Sequence, residues 1–179
     1  MSEAVGVHYD RRRMLEARAA TLAAVDAIAV QMTPGLLEDD AQHVVRRVLA
    51  ERGLARGWHA PYVRFGANTA LTYGRPSEAG TRLGEDDIFF VDIGPVMDRW
   101  EGDAGTTFTT GADPEFSRCA EDVRALWADV RLAWLEGASG TALYDLAVQR
   151  TLARGWVVNL DLAGHRIGDF PHKAVHKGT

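Results

Sequence analysis

The spacing of hydrophobic positions changes several times along this chain, and each change marks an element. Over about 11–31, Met14, Ala17, Leu22, Val25, Ile28 and Ala29 recur three and four apart among charged residues, the signature of one buried helical face. Thr33-Pro34-Gly35 closes that segment. A second helix is predicted over about 37–51, with Ala41, Val44, Val45, Val48 and Leu49 on one side and Gly53 placed to stop it. The stretch 58–65 is short, aromatic and partly β-branched, while Gly66-Ala67-Asn68 and Gly74-Arg75-Pro76-Ser77 read as turns. Ile88-Phe89-Phe90-Val91-Asp92-Ile93-Gly94 is the clearest strand. A turn around Met97-Asp98 and a threonine-rich strand over 103–110 complete a β-hairpin.

From Pro114 the same order begins again. A helix runs through Val123, Leu126, Val130 and Leu135, a glycine-containing break follows, then a helix over about 141–153 and a strand over 157–162. Setting Gly35 on Gly140 gives an offset of about 105 and predicts one α/β (α+β) domain over 1–179. Its pseudo-symmetric halves, about 10–111 and 114–179, bring their sheets together over a shared site. Under that offset the second hairpin belongs at about 193–215, past Thr179, so the repeat predicts a truncated second half.

Composition narrows the class. With 179 residues, 46% of them hydrophobic and 25% charged, the chain fits one soluble domain able to bury a core. The net charge is -5, and the basic residues, including Arg11-Arg12-Arg13, are interspersed with acids, which argues against a nucleic-acid partner. The single cysteine, Cys119, has no partner for an internal disulfide and reads as a structural thiol in a reducing compartment. The amino terminus lacks the apolar stretch of a signal peptide, and no run approaches the roughly 18 apolar residues of a membrane helix. No membrane partner is expected, and the cytoplasm is the expected location.

The chemistry centres on aspartate. Asp is disfavoured in strands, yet Asp92 stands inside a run that reads as buried on both faces. With the turn centred on Met97-Asp98, antiparallel partners have numbers summing to 195, which sets Asp92 directly across from Asp103. Carboxylates so paired lie about 5 Å apart and repel, and a divalent cation removes the conflict. Oxygen ligands favour magnesium, manganese, iron or zinc over soft metals, and a bridging carboxylate allows a second ion. The competing reading is a solvated hairpin, or one whose register is slipped by a bulge. Asp98 and Glu101, nearer the turn, read as solvated. Gly164-His165-Arg166-Ile167-Gly168 lets the backbone bend so that His165 projects at the end of the 157–162 strand, supplying an imidazole beside the carboxylates. His172 and His176 follow, four apart, but the helical zinc-protease pattern needs Glu where Lys173 stands. His8, His43 and His59 have no partner identifiable from sequence and read as surface or core residues.

Val-Asp92-Ile-Gly, Gly-Asp103-Ala-Gly-Thr-Thr-Phe and Gly-His165-Arg-Ile-Gly, with His172 seven residues on, together resemble the family of methionine aminopeptidase, aminopeptidase P, prolidase and creatinase. The likeness covers nearly the whole chain. It implies a pseudo-symmetric pita-bread fold, a homodimer, and a small peptide as substrate. It makes Asp92, Asp103 and His165 metal ligands for one or two divalent ions (manganese, zinc, cobalt or iron) and His172 a catalytic, substrate-contacting histidine. Ala67-Asn68 followed by Thr72-Tyr73-Gly74-Arg75-Pro76 looks like the Xaa-Pro branch. In that branch Tyr73 stands where histidine is usual, and Arg166 replaces a small glycine; both residues are expected to meet substrate. The family completes its site with two glutamates after the histidine, and they would fall beyond Thr179. The function implied is a metallopeptidase of Xaa-Pro aminopeptidase or dipeptidase type. The alternatives are a metal-depleted pita-bread domain that binds peptides or proteins, and a creatinase-like hydrolase of a small carbon–nitrogen substrate.

Overall fold

A computed structural model of the chain describes residues 8–159 together with Ile167. Helix α1 (Arg11–Ala29) starts where the sequence places it because Asp10 caps it, its Oδ1 accepting from the Arg12 and Arg13 backbone N–H groups. Helix α2 (Glu38–Glu51) opens on three acids, which suits the positive end of a helix dipole. Strand β1 (Tyr62–Phe65) and a 3-10 turn (Gly66–Ala70) lead to strands β2 (Asp87–Ile93), β3 (Val96–Met97), β4 (Trp100–Glu101) and β5 (Ala104–Thr110). Helix α3 (Pro114–Leu135) has Asp113 as its cap and proline at its first position, and α4 (Gly140–Ala153) is capped by Ser139.

The main sheet is antiparallel with strand order β1-β2-β5. Alternation along β2 sorts its two faces. Phe89, Val91 and Ile93 enter the core with Val25, Ile28, Val45 and Leu83, whereas Phe90 and Asp92 lie on the opposite face and are only partly buried. The strand is therefore not buried on both sides, and the alternation places Asp92 outside the apolar core. Phe89 meets Phe65 edge-on at 6.1 Å and stacks on the partly buried Phe108 at 5.3 Å, with the fully buried Phe65 and Phe89 each contributing about 1.5–3 kcal/mol through burial.

The hairpin register differs from the expected one. Met97 pairs with Trp100, and Asp98 takes a φ of 57°, a conformation that Asp tolerates better than most residues. The two-residue turn is thus Asp98-Arg99, and partners sum to 197 rather than 195, as in Asp92 with Gly105. The same count continues across the interruption between β2 and β3, where Gly102 N–H donates to Pro95 O at 2.8 Å. The tip folds under α1: Thr21 Oγ1 would lie 1.9 Å from a Cβ added at Gly102. Glu101 is consequently only 1% exposed, not solvated as its nearness to the turn suggested.

The two halves are offset by about 102 residues rather than the expected 105. Gly35 and Gly137 share the left-handed conformation (φ 87° and 93°), as do Gly53 and Gly155 (φ 70° and 82°). These pairs, 35 with 137 and 53 with 155, are both about 102 apart, as are the first residues of α2 and α4. Gly140 instead lies inside α4. The break Gly137-Ala-Ser-Gly140 contains two glycines, and only the backbone angle tells which one matches Gly35. Of the predicted strand over 157–162, residues 157–159 take no regular secondary structure and 160–162 lie outside the described residues. Among the described residues, no helix is long and apolar enough to cross a membrane.

Glu38 ties the first half together. It is 6% exposed, and its Oε2 accepts from the Phe65 N–H at 2.7 Å and from Asn68 Nδ2 at 3.1 Å. Replacing Glu38 by Ala leaves the buried Phe65 N–H unsatisfied, while Asn68 Nδ2 keeps Thr81 Oγ1 and Glu78 O as acceptors, and is expected to cost about 1–3 kcal/mol, read as a lowered urea midpoint. Glu38→Gln, which keeps an acceptor, should recover part of the loss. On α3, partial burial, with Asp122 nearby, raises the Cys119 thiol above its ordinary range despite Arg118. Cys119 should therefore react several-fold more slowly with iodoacetamide at neutral pH in the native protein than in urea.

Candidate metal centre

Asp92 leaves β2 on the face turned away from the core, and Asp103 follows β4 on the other arm of the same hairpin. The observed register puts them diagonally rather than directly opposite. Asp92 faces Gly105, and the continued count sets Asp103 beside Gly94. Positions two apart across a ladder share a face, so both carboxylates still project the same way. Each lies across from a glycine.

A third group joins them. His59, Asp92 and Asp103 each offer a ligand atom, and these atoms lie within 4.8 Å of one another. His59 Nε2 is 3.9 Å from Asp103 Oδ1, with the two side chains 9% and 27% exposed. The imidazole arrives there through a bulge. On one side of it, Arg56 O accepts from Val96 N–H, Gly57 bridges Pro95, and Trp58 N–H donates to Gly94 O. On the other side, Tyr62 pairs with Asp92. Between these registers, His59, Ala60 and Pro61 together face Ile93 alone, so two residues are extra. A bulge re-aims side chains, and Pro61 has no N–H to give a regular ladder. Gly94 accommodates the result: a Cβ there would lie 2.1 Å from His59 Cδ2. Trp58 Nε1 donates to Gly102 O at 2.9 Å, fastening the bulge to the hairpin's far arm.

Two tyrosines border the cluster. Tyr62 is the cross-strand neighbour of Asp92, and the Tyr73 ring lies 5.0 Å from it and 6.5 Å from His59. Desolvation, then Tyr62, then the Asp92 charge push the Tyr73 phenol above its ordinary value, so at neutral pH it is an uncharged hydrogen-bond donor. Its segment is held from behind by Arg64, which is 3% exposed and donates to the carbonyls of Leu71 at 2.8 Å, Thr72 at 3.2 Å and Arg75 at 2.5 Å.

Of the residues that the sequence marked, Asp92, Asp103 and Tyr73 come together. His165, Arg166 and His172 lie outside the described residues, as does His176. His59 was passed over as a surface or core residue because its partners are distant in sequence and its direction depends on the bulge. The one local sign was Pro61, which interrupts the strand just before β1. The donor set fits a divalent cation: two carboxylate oxygens and an imidazole nitrogen suit manganese, iron, cobalt or zinc.

The chain resembles known proteins in sequence and in fold. A methionine aminopeptidase 1 of Mycobacterium tuberculosis is 33% identical over 104 residues, 55% of this chain and 39% of the relative, so the chain spans about two-fifths of that protein's length. Among solved structures, a methionine aminopeptidase from Thermotoga maritima superposes with a TM-score of 0.70 at 18% identity, over 88% of this chain and 67% of that one. An X-Pro aminopeptidase from the same organism gives 0.64 at 17% identity, over 82% and 43%. These structural likenesses establish the pita-bread fold. Residues 12–178 match metallopeptidase family M24, and this chain belongs to that family.

Proposed function

We propose that this chain is a metal-dependent aminopeptidase or dipeptidase that cleaves small peptides at Xaa-Pro bonds. The observation that carries the reading is the pair Asp92 and Asp103, drawn onto one face of a hairpin with ligand atoms no more than 4.8 Å apart. Like charges so placed are costly without a cation. One or two bound divalent ions would supply Lewis acidity and a water acidic enough to deprotonate near neutral pH. The protein's part is to hold and orient. Asp92 and Asp103 fix the cation, with His165 proposed as a further ligand. Tyr73 donates a hydrogen bond toward the substrate. Arg166 narrows the pocket or pairs with a substrate carboxylate, and His172 stabilises the charge that develops on the scissile carbonyl oxygen. The X-Pro aminopeptidase of Thermotoga maritima and the segment Thr72-Tyr73-Gly74-Arg75-Pro76 support the proline preference.

A second reading, removal of amino-terminal methionine, is favoured by the 33% identity to the Mycobacterium tuberculosis methionine aminopeptidase. Xaa-Pro dipeptides and Met-Ala-Ser peptides, assayed side by side with manganese, cobalt or zinc, separate the two by their kcat/KM values. In either case chelation should abolish turnover and added metal should restore it. Asp92→Asn and Asp103→Asn should each lower kcat/KM by more than the roughly 10–100-fold typical of losing an outer-shell partner. A chain that takes up none of these ions, shown by no heat on titration and no rise in Tm, is not a metallopeptidase, and the peptide-binding reading then replaces this one.

A further inference from the structure

The geometry points to His59 as a direct ligand of the cation, bound through Nε2 and supplied by the bulge before β1. The inference rests on reading Asp92 and Asp103 as cation ligands and adds a nitrogen donor from a part of the chain that sequence motifs pass over.

Three observations carry it. The first is the ring's hydrogen bonding. His59 Nδ1 lies 2.7 Å from Ala60 O, and a carbonyl only accepts, so Nδ1 carries the proton and donates. In the neutral imidazole, Nε2 then holds a lone pair. A ring N–H anchored on a backbone carbonyl, with the other nitrogen free to donate its pair, is the arrangement in which histidine binds metals. The second is direction and burial. The side chain is 9% exposed, and Nε2 faces Asp103 Oδ1 at 3.9 Å, too far for a hydrogen bond. That separation leaves space between nitrogen and oxygen for an ion about 2.0–2.2 Å from each. The third is that the backbone is shaped around the ring. The bulge turns His59 inward, and Gly94 gives it room, since any Cβ there would lie 2.3 Å from Nε2. Trp58 packs edge-on against the imidazole at 4.4 Å, limiting its rotation.

A nitrogen ligand changes which ion the site prefers. Two carboxylates alone suit hard magnesium or calcium as well as transition ions, whereas imidazole favours manganese, iron, cobalt or zinc. His59 therefore adds to selectivity as well as affinity beside the proposed ligand His165, and it provides an imidazole on the side of the site where Tyr73 cannot act as a ligand without losing its proton.

The test uses the full chain, stripped of metal by chelation and then dialysed. Cobalt and zinc are titrated calorimetrically into the wild type, His59→Ala and His59→Gln, with magnesium as a comparison. The apo proteins are checked for matching far-UV circular dichroism. Both variants should bind cobalt and zinc at least about 10–100-fold more weakly and lose part of the preference over magnesium. The cobalt form of the wild type should show an exchangeable, paramagnetically shifted Nδ1–H resonance in its proton NMR spectrum that His59→Gln lacks. Gly94→Ala, which displaces the ring, should weaken binding in the wild type and much less in His59→Ala. If the wild type binds tightly and the His59 variants bind equally well or better, His59 is only an ion-pair partner of Asp103 and this inference is overturned. If the wild type binds neither ion, the metallopeptidase reading fails and takes this inference with it.

Discussion

Two aspartates on neighbouring arms of one hairpin repel each other, and much of the surrounding structure can be understood as fixing how close they come. The hairpin register is set by the turn at Asp98-Arg99, by the pairing of Met97 with Trp100, and by the burial of the tip beneath α1. A slip of one residue would send Asp92 to the core face and Val91 outward, putting a charge in place of a hydrocarbon that is 0% exposed. The apolar packing of Phe89, Val91 and Ile93 thus also dictates where the carboxylates point. Core and site are two faces of one strand.

Around that strand the glycines have a shared purpose. Gly94 yields to the imidazole, Gly102 to Thr21 on α1, and Gly105 stands across from Asp92. Gly94 and Gly102 allow close approach where a side chain would hold elements apart. The bulge at His59-Ala60-Pro61 depends on the same economy, because the chain on either side of it is hydrogen-bonded to the hairpin while the bulge itself turns inward.

The helices and the hairpin were legible in the sequence because their signals are local: a three-and-four spacing over 11–29, Asp10 and Asp113 as caps, and alternation through Phe89 and Val91. The register was less legible. Whether a turn is centred on Met97-Asp98 or on Asp98-Arg99 depends on the φ of Asp98, which residue identity does not fix. The repeat offset was misread for the same reason, since Gly137 and Gly140 differ in backbone angle and not in composition. Glu101 was read as solvated because the sequence does not show that α1 lies over the hairpin tip. His59 was the hardest to see. Its position comes from two hydrogen-bonded registers that disagree by two residues, and no local pattern encodes that disagreement.

Arg64 has a wider consequence for how this site can diversify. Its buried guanidinium grips three peptide carbonyls between Leu71 and Arg75, and so holds that segment by its backbone alone. Carbonyls are present whatever side chains occupy those positions. The segment that presents Tyr73 is therefore anchored through its carbonyls, and apart from Gly74, held at φ 78°, its side chains are not part of that anchor. Such an arrangement separates geometry from recognition: one arginine preserves the wall of the site, while the residues displayed on that wall remain open to change.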